Sequence, residues 1–317
     1  MSSQDAYASV YTGVLRIGRS DRGVLRVTGA DRFEWLQGLV TNDVRLVTPG
    51  QRVYAGDTPF VRYLKVSEGC DHGCAFCAIP LMRGKHRSFA LDDVVREAQL
   101  LELQGAREVN LVAQDLAHYG RDRRDGVRLP ELLEALVRET SIPWFRNMYL
   151  YSAGITPRLL EVIAAHPRIV RYLDMPMQHA SDAVLERMRR PERQRTIREK
   201  VARFRDAVPG VAIRTTCIVG FPGETEDDVA QLLDFLREIA FERVGVFTYS
   251  PQEGTRAAQL ADDVPESVKR ERLEAVQDDY DFTAAFVSTL EGPAAPSAAP
   301  ARGRALPVTS SLGSFGR

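Results

Sequence analysis

Cysteine is scarce in this sequence, with four in 317 residues. That is too few for a disulfide scaffold in a chain this long. Net charge is almost absent, at −1, which excludes a chain-wide nucleic-acid footprint but leaves room for a local basic patch. No apolar run reaches the roughly 18 residues that span a bilayer. The opening MSSQDAYASVYTG has neither a basic start nor an apolar core, so no secretory signal is expected there. What is present is 44% hydrophobic residues, enough for one large domain or two small ones. Three of the cysteines crowd between positions 70 and 77. Clustered thiolates in a reducing compartment hold metal rather than form bridges, so a cytoplasmic setting is expected.

The chain divides into three regions. Residues 1–58 form a short opening segment, with strand patterns in GVLRIG and GVLRVTG and a short helix at 30–39. Residues 59–286 alternate strand and helix patterns. Residues 287–317 are rich in Pro, Ala, Ser and Gly and cannot bury enough apolar surface to offset ordering entropy, so a disordered tail is expected. In the middle region, strands are expected at 63–68, 108–113, 145–151, 171–176, 211–219 and 243–249. Helices are expected at 91–103, 130–139, 157–165, 182–189, 196–208, 225–239 and 266–282. Asp92 and Asp93 suit the first turn of the first of these, and Thr225 with Asp228 resembles a capping box. Six such units make an α/β fold with a parallel sheet, fewer than the eight of a closed barrel. A partial barrel and an open doubly wound sheet both fit, and both place ligands at the C-terminal ends of the strands.

The cysteine segment reads EGCDHGCAFCAIPLMRGKHR, with spacing Cys-x3-Cys-x2-Cys, directly after the first of these strands. Three thiolates on one loop can hold three irons of a cubane cluster and leave the fourth open to a small molecule. Gly69 and Gly73 are expected to let the backbone wrap closely. The competing reading is a structural zinc, with His72 or Cys217 as fourth ligand. Zinc sites usually pair two short hooks far apart in sequence, and only one is present here.

Cys70, Cys74 and Cys77, with Phe76 just before the last, resemble the signature of radical S-adenosylmethionine (SAM) enzymes. The resemblance implies a partial (βα)6 barrel, one 4Fe–4S cluster held by the three cysteines, and SAM on the open iron with Phe76 near its adenine. SEGCDHGCAFCAIPLMRGKHRS, VAQDLAHYG, YLDMPMQHAS, IVGFPGETEDD and FTYSPQEGTRA, in that order, resemble the methylthiotransferases. IPLMRG, AQDLAHYG and MPMQHAS look like the branch that modifies a ribosomal protein (RimO) rather than the tRNA branch (MiaB). That family adds a methylthio group to the β-carbon of an aspartate in a small-subunit ribosomal protein, which implies that partner and an electron donor such as flavodoxin.

Other motif residues carry two readings each. Gly220, Gly223 and Glu224 either shape the SAM side of the mouth or simply make a tight turn into a helix. Gln178, His179, Gln114 and Asp115 sit just after strand ends, where they either touch SAM or substrate or satisfy loop backbone groups. Arg83, Lys85, His86 and Arg87 either meet an anion or form a solvated turn. Arg214, if it faces inward, needs an anionic partner, for which SAM is a candidate. Cys217 reads as a core residue. The Arg-rich run at 187–200, interspersed with Glu192 and Glu199, reads as a solvated helical face.

Two parts of the family pattern are missing from this chain. Residues 1–58 contain none of the three cysteines that hold a second cluster in family members. No strand pattern after Phe286 matches the terminal β-barrel (TRAM) domain, so direct nucleic-acid binding is not expected. Residues 13–48 instead resemble the start of the folate-binding aminomethyltransferase-like family (T-protein and YgfZ), so the sequence reads as a radical SAM core joined to a fragment of another domain. A single-cluster radical SAM enzyme of other specificity, a tRNA methylthiotransferase, and a metal-bearing module that only binds ribosomes are the alternatives.

Overall fold

A computed structural model describes residues 60–279. The opening segment, its likeness to the aminomethyltransferases and the Pro/Ala-rich tail lie outside the described residues.

The strand order selects between the two expected architectures. Strands β1 (Val61–Lys65), β4 (Glu108–Val112) and β5 (Trp144–Asn147) form one three-stranded parallel sheet. Strands β6 (Tyr172–Asp174), β7 (Ala212–Val219) and β8 (Arg243–Thr248) form a second, also parallel. A parallel bridge between Phe145 and Ile169 joins the two. The order therefore runs sequentially from β1 to β8 with no reversal. A doubly wound sheet needs a reversal, and one wound in a single direction curls into a barrel. Among the described residues no pairing joins β8 back to β1, so this is the expected α/β partial barrel. One apolar cluster runs through both sheets, from Leu64, Val109 and Phe145 to Leu173, Ile213 and Val244. Each large side chain fully buried there, such as Phe145 or Phe204, contributes about 1.5–3 kcal/mol.

Local sequence chemistry sets the outer helices. In α2 (Leu91–Leu103), which follows a short α1 (Ile79–Arg83), Val94, Ala98 and Leu101 repeat at helical spacing and are buried. Helices α3 (Leu129–Glu139) and α4 (Pro157–Ala165) each carry a proline in the first turn, where a missing N–H costs nothing. In α7 (Glu226–Ile239), the Thr225 hydroxyl accepts from Asp228 N and the Asp228 carboxylate accepts from Thr225 N, so the capping box forms.

Several boundaries differ from expectation. The strand expected at 145–151 stops at Asn147, because Tyr149 adopts φ 60° and leaves the extended region. The strand expected at 63–68 is split. Val66 interrupts it, and β2 (Ser67–Glu68) pairs antiparallel with β3 (Arg87–Ser88), a short two-stranded ladder that the sequence pattern did not indicate. Helix α5 (Asp182–Arg187) ends early, with Arg189 at φ 57°, and α6 (Gln194–Ala207) begins two residues before the expected start. The last helix, α8, is described over Glu266–Asp279.

Candidate functional site

All six barrel strands are parallel, so the loops leaving their C-terminal ends gather on one rim. The cysteine loop leaves by way of β1 and β2. Gln114 and Asp115 follow β4, Tyr149 and Tyr151 follow β5, Gln178 and His179 follow β6, and Gly220–Glu224 follow β7.

Backbone bonds mount the loop from three directions. Cys70 N donates to Gly84 O, Ala75 N to Met188 O, and Ala257 N to Ala75 O. At Gly69, with φ +80°, a Cβ would sit 2.2 Å from Lys85 O, so glycine is required there. Gly73 corrects the sequence reading. A Cβ on it would meet nothing within 4 Å, so it is not needed for close wrapping. Phe76 packs against a small apolar cluster that includes Ala75, Met188, Phe221 and Tyr249.

The three thiols are free and partly buried. Burial pushes the Cys70 thiol up to about 11, with the Cys74 and Cys77 sulfurs adding to the rise. Cys77 is raised for the same leading reason. Three thiol sulfurs gathered on one partly buried loop are the usual donor set of an iron–sulfur cluster, so the residues fit one. Cys217 cannot be a fourth ligand to a zinc. It lies on β7 with no exposed surface, inside the apolar core, as its sequence context suggested. His72 Nε2 lies 2.7 Å from Asp115 Oδ2.

The other expected residues divide clearly. Asp115 serves the loop backbone: its Oδ1 accepts from Ala117 N and Tyr151 N. Gln114 is half-buried, with its side-chain oxygen unpartnered among the described residues. Gln178 takes φ 74°, donates its N–H to Thr216 O and accepts from Ile218 N, so its backbone continues the β6 pairing along β7. His179 is fully buried, and its Nδ1 accepts from Ser181 N. Glu224 accepts from Gly220 N and from Arg272, and lies 3.5 Å from His179 Nε2, so it clasps the glycine turn. Gly220 needs its φ of +72°, and a Cβ there would press into the Lys269 side chain. Arg214 alternates away from the buried face of β7 and has an anionic partner within the protein: Nη1 donates to Asp174 at 2.8 Å. Burial opposes its charge, but the adjoining carboxylate more than offsets this and holds the guanidinium above its ordinary range. Arg83, Lys85 and Arg87 are exposed, whereas His86 is buried against Ser88.

The sequence reading missed Arg190 and Tyr151. Arg190 belongs to the run read as a solvated face, yet it is 5% exposed. Its Nη1 points at Cys74 Sγ, its Nε faces Glu192, and its guanidinium covers the Tyr151 ring at 4.3 Å. Tyr151 in turn stacks on His72. The signal was Pro191: the residue before a proline is pushed out of helical conformation, so a helical face could not continue through Arg190.

With this geometry in place, the chain can be set beside known proteins. The sequence pattern of the Radical SAM superfamily matches residues 64–236. A protein of Anaeromyxobacter sp. (strain Fw109-5), named ribosomal protein uS12 methylthiotransferase RimO, is 49% identical over 240 residues, covering 73% of this chain and 51% of that protein. A protein of the same name from Desulforudis audaxviator is 49% identical over 223 residues, covering 70% and 49%. The chain thus spans about half the length of the curated relatives it matches. Streptococcus suis SuiB, crystallised with SAM, shares the fold with a TM-score of 0.51 at 16% identity, over 84% of this chain and 56% of SuiB.

Proposed function

Because the chain belongs to the Radical SAM superfamily, we propose that it is the radical-generating core of a methylthiotransferase that modifies a small-subunit ribosomal protein. One observation carries the specific reading: 49% identity over 240 residues to proteins named for methylthiolation of uS12. The product would be a methylthio group on the β-carbon of an aspartate. The core corresponds to residues 59–286, with 1–58 and 287–317 as appended segments. No helix among the described residues is long and apolar enough to cross a membrane, and the clustered thiols suit a cytoplasmic protein supplied with electrons by a flavodoxin-like donor.

Cys70, Cys74 and Cys77 would hold the 4Fe–4S cluster. When reduced, that cluster supplies the electron that cleaves SAM to a 5′-deoxyadenosyl radical. The chain's own residues do the positioning. Gly69 and the three backbone anchors fix the loop, Asp115 and Tyr151 fix His72, and Arg190 places a buried positive charge beside Cys74. Phe76, Gln178, Arg214, Gly220, Gly223 and Glu224 would form the SAM side of the rim. In this reading the glycines act through backbone shape, and Glu224 by holding their turn.

The chain's remaining cysteine, Cys217, is buried, so no second cysteine-held cluster forms within this chain. SAM cleavage is therefore expected to survive in it, and unaided sulfur insertion is not. The test is anaerobic reconstitution of the full chain, followed by mass spectrometry of SAM products and of the ribosomal protein. About four irons per chain, with 5′-deoxyadenosine released, supports the reading. No SAM cleavage overturns the radical core, cleavage coupled only to tRNA overturns the ribosomal-protein assignment, and methylthiolated protein made by this chain alone overturns the need for a second centre.

A further inference from the structure

Three of the chain's five histidines converge beside the cysteine loop: His72, His86 and His118. We propose that two of them, with Asp115, form a second metal site for a divalent first-row transition ion, independent of the cysteines. His72 Nε2 lies 2.7 Å from Asp115 Oδ2, His118 Nδ1 lies 3.7 Å from the same oxygen, and the three donor atoms fall within 4.8 Å of one another. Ligands bonded to one tetrahedral ion at about 2.0–2.1 Å stand roughly 3.3 Å apart, so these positions bracket the required spacing and small side-chain rotations close it.

The surroundings are built as an outer layer around such a site. Asp115 is 4% exposed, and its Oδ1 is occupied by the N–H groups of Ala117 and Tyr151, which turns Oδ2 toward the two imidazoles. Behind His118, Asp71 Oδ2 lies 3.6 Å from Nε2, and Asp71 is itself held by His86 N. A carboxylate behind the distal nitrogen of a metal-binding histidine fixes its ring and raises its basicity. The His72 ring is fixed by stacking on Tyr151 at 3.9 Å. Both histidines keep some exposure while Asp115 has almost none, so an ion can enter from one side. Two imidazole nitrogens and one carboxylate oxygen suit iron(II), cobalt(II) or zinc and do not suit magnesium or calcium, and three protein ligands leave positions open. A plain His72–Asp115 hydrogen bond accounts for the 2.7 Å pair. It gives no reason for a second imidazole facing the same oxygen with a carboxylate behind it.

Cobalt(II) is the probe. In the full chain with Cys70, Cys74 and Cys77 all changed to Ser, one Co(II) binds per chain, with d–d bands and no sulfur-to-cobalt charge transfer. His118→Ala in that background weakens binding at least tenfold. No stoichiometric binding, or equal affinity after His118→Ala, overturns the proposal. If the serine variant loses its cooperative melt, the cluster-loaded chain is compared with its His118→Ala variant by elemental analysis. One cobalt per four irons falling to none supports the site, and an unchanged ratio overturns it.

Discussion

The guanidinium of Arg190 sits against the sulfur of Cys74, with Nη1 3.7 Å from Sγ, while Nη2 donates to Pro176 O at 2.9 Å. The arginine is held from behind by Glu192 and from one face by the Tyr151 ring. Burial opposes its charge, but Glu192 and the Cys74 sulfur outweigh that and keep it firmly protonated.

A hydrogen-bond donor on a cluster sulfur stabilises the more negative, reduced state. Arg190→Met is therefore expected to lower the midpoint potential of the reconstituted cluster, measured by EPR-monitored redox titration, with Arg190→Lys intermediate. Arg190→Met also leaves Glu192 without its buried cation, a loss of roughly 3–5 kcal/mol readable in denaturant melts. An unchanged potential would show that Arg190 only packs.

The four cysteines should separate cleanly. Changing Cys70, Cys74 or Cys77 to Ala abolishes stoichiometric iron and sulfide. Cys217→Ala leaves both intact but costs roughly 0.5–3 kcal/mol, because it opens space in the core. Iron analysis and thermal melts decide this together.

Two glycines of the same loop should behave oppositely. Gly69→Ala forces a left-handed alanine, worth about 1–2 kcal/mol, and drives its methyl into Lys85 O, so cluster loading falls. Gly73→Ala changes stability by no more than about 0.5 kcal/mol and leaves iron content alone.

Asp228 gives a pH signature. Burial pushes its carboxyl up, but hydrogen bonds from Ser181 and Thr225 and the nearby Arg187 outweigh that and hold it below the ordinary carboxylate range. A folded-state pKa below the unfolded value means the stabilisation is full above about pH 4 and drains away as pH falls further. Melting temperature should drop below that pH in the unmodified chain and more shallowly in Asp228→Asn. The variant itself is about 1 kcal/mol weaker at neutral pH. Parallel acid limbs would show that this carboxylate is not a source of the loss.

What was legible in the sequence was whatever local chemistry decides. The Thr225–Asp228 box, the strand around Cys217 and the cysteine spacing all act within a few residues. What was not legible depended on partners far along the chain. Tyr149 leaves the strand because its carbonyl accepts from Leu116 N, and nothing near Tyr149 announces that. Arg190 faces inward toward Cys74, 116 residues away, and the arginines around it made a solvated face the natural reading. The partner of Arg214, Asp174, became visible only once β6 and β7 were placed in register.

The anchoring of the cysteine loop also sets a timetable. Cys70, Cys74 and Cys77 leave the ribosome early, but two of the bonds that seat their loop are made with Met188 and Ala257. Until those later segments have been synthesised and have folded back, two of the bonds that seat the loop cannot form, so the three sulfurs take up their final spacing only once residues more than a hundred positions downstream are in place.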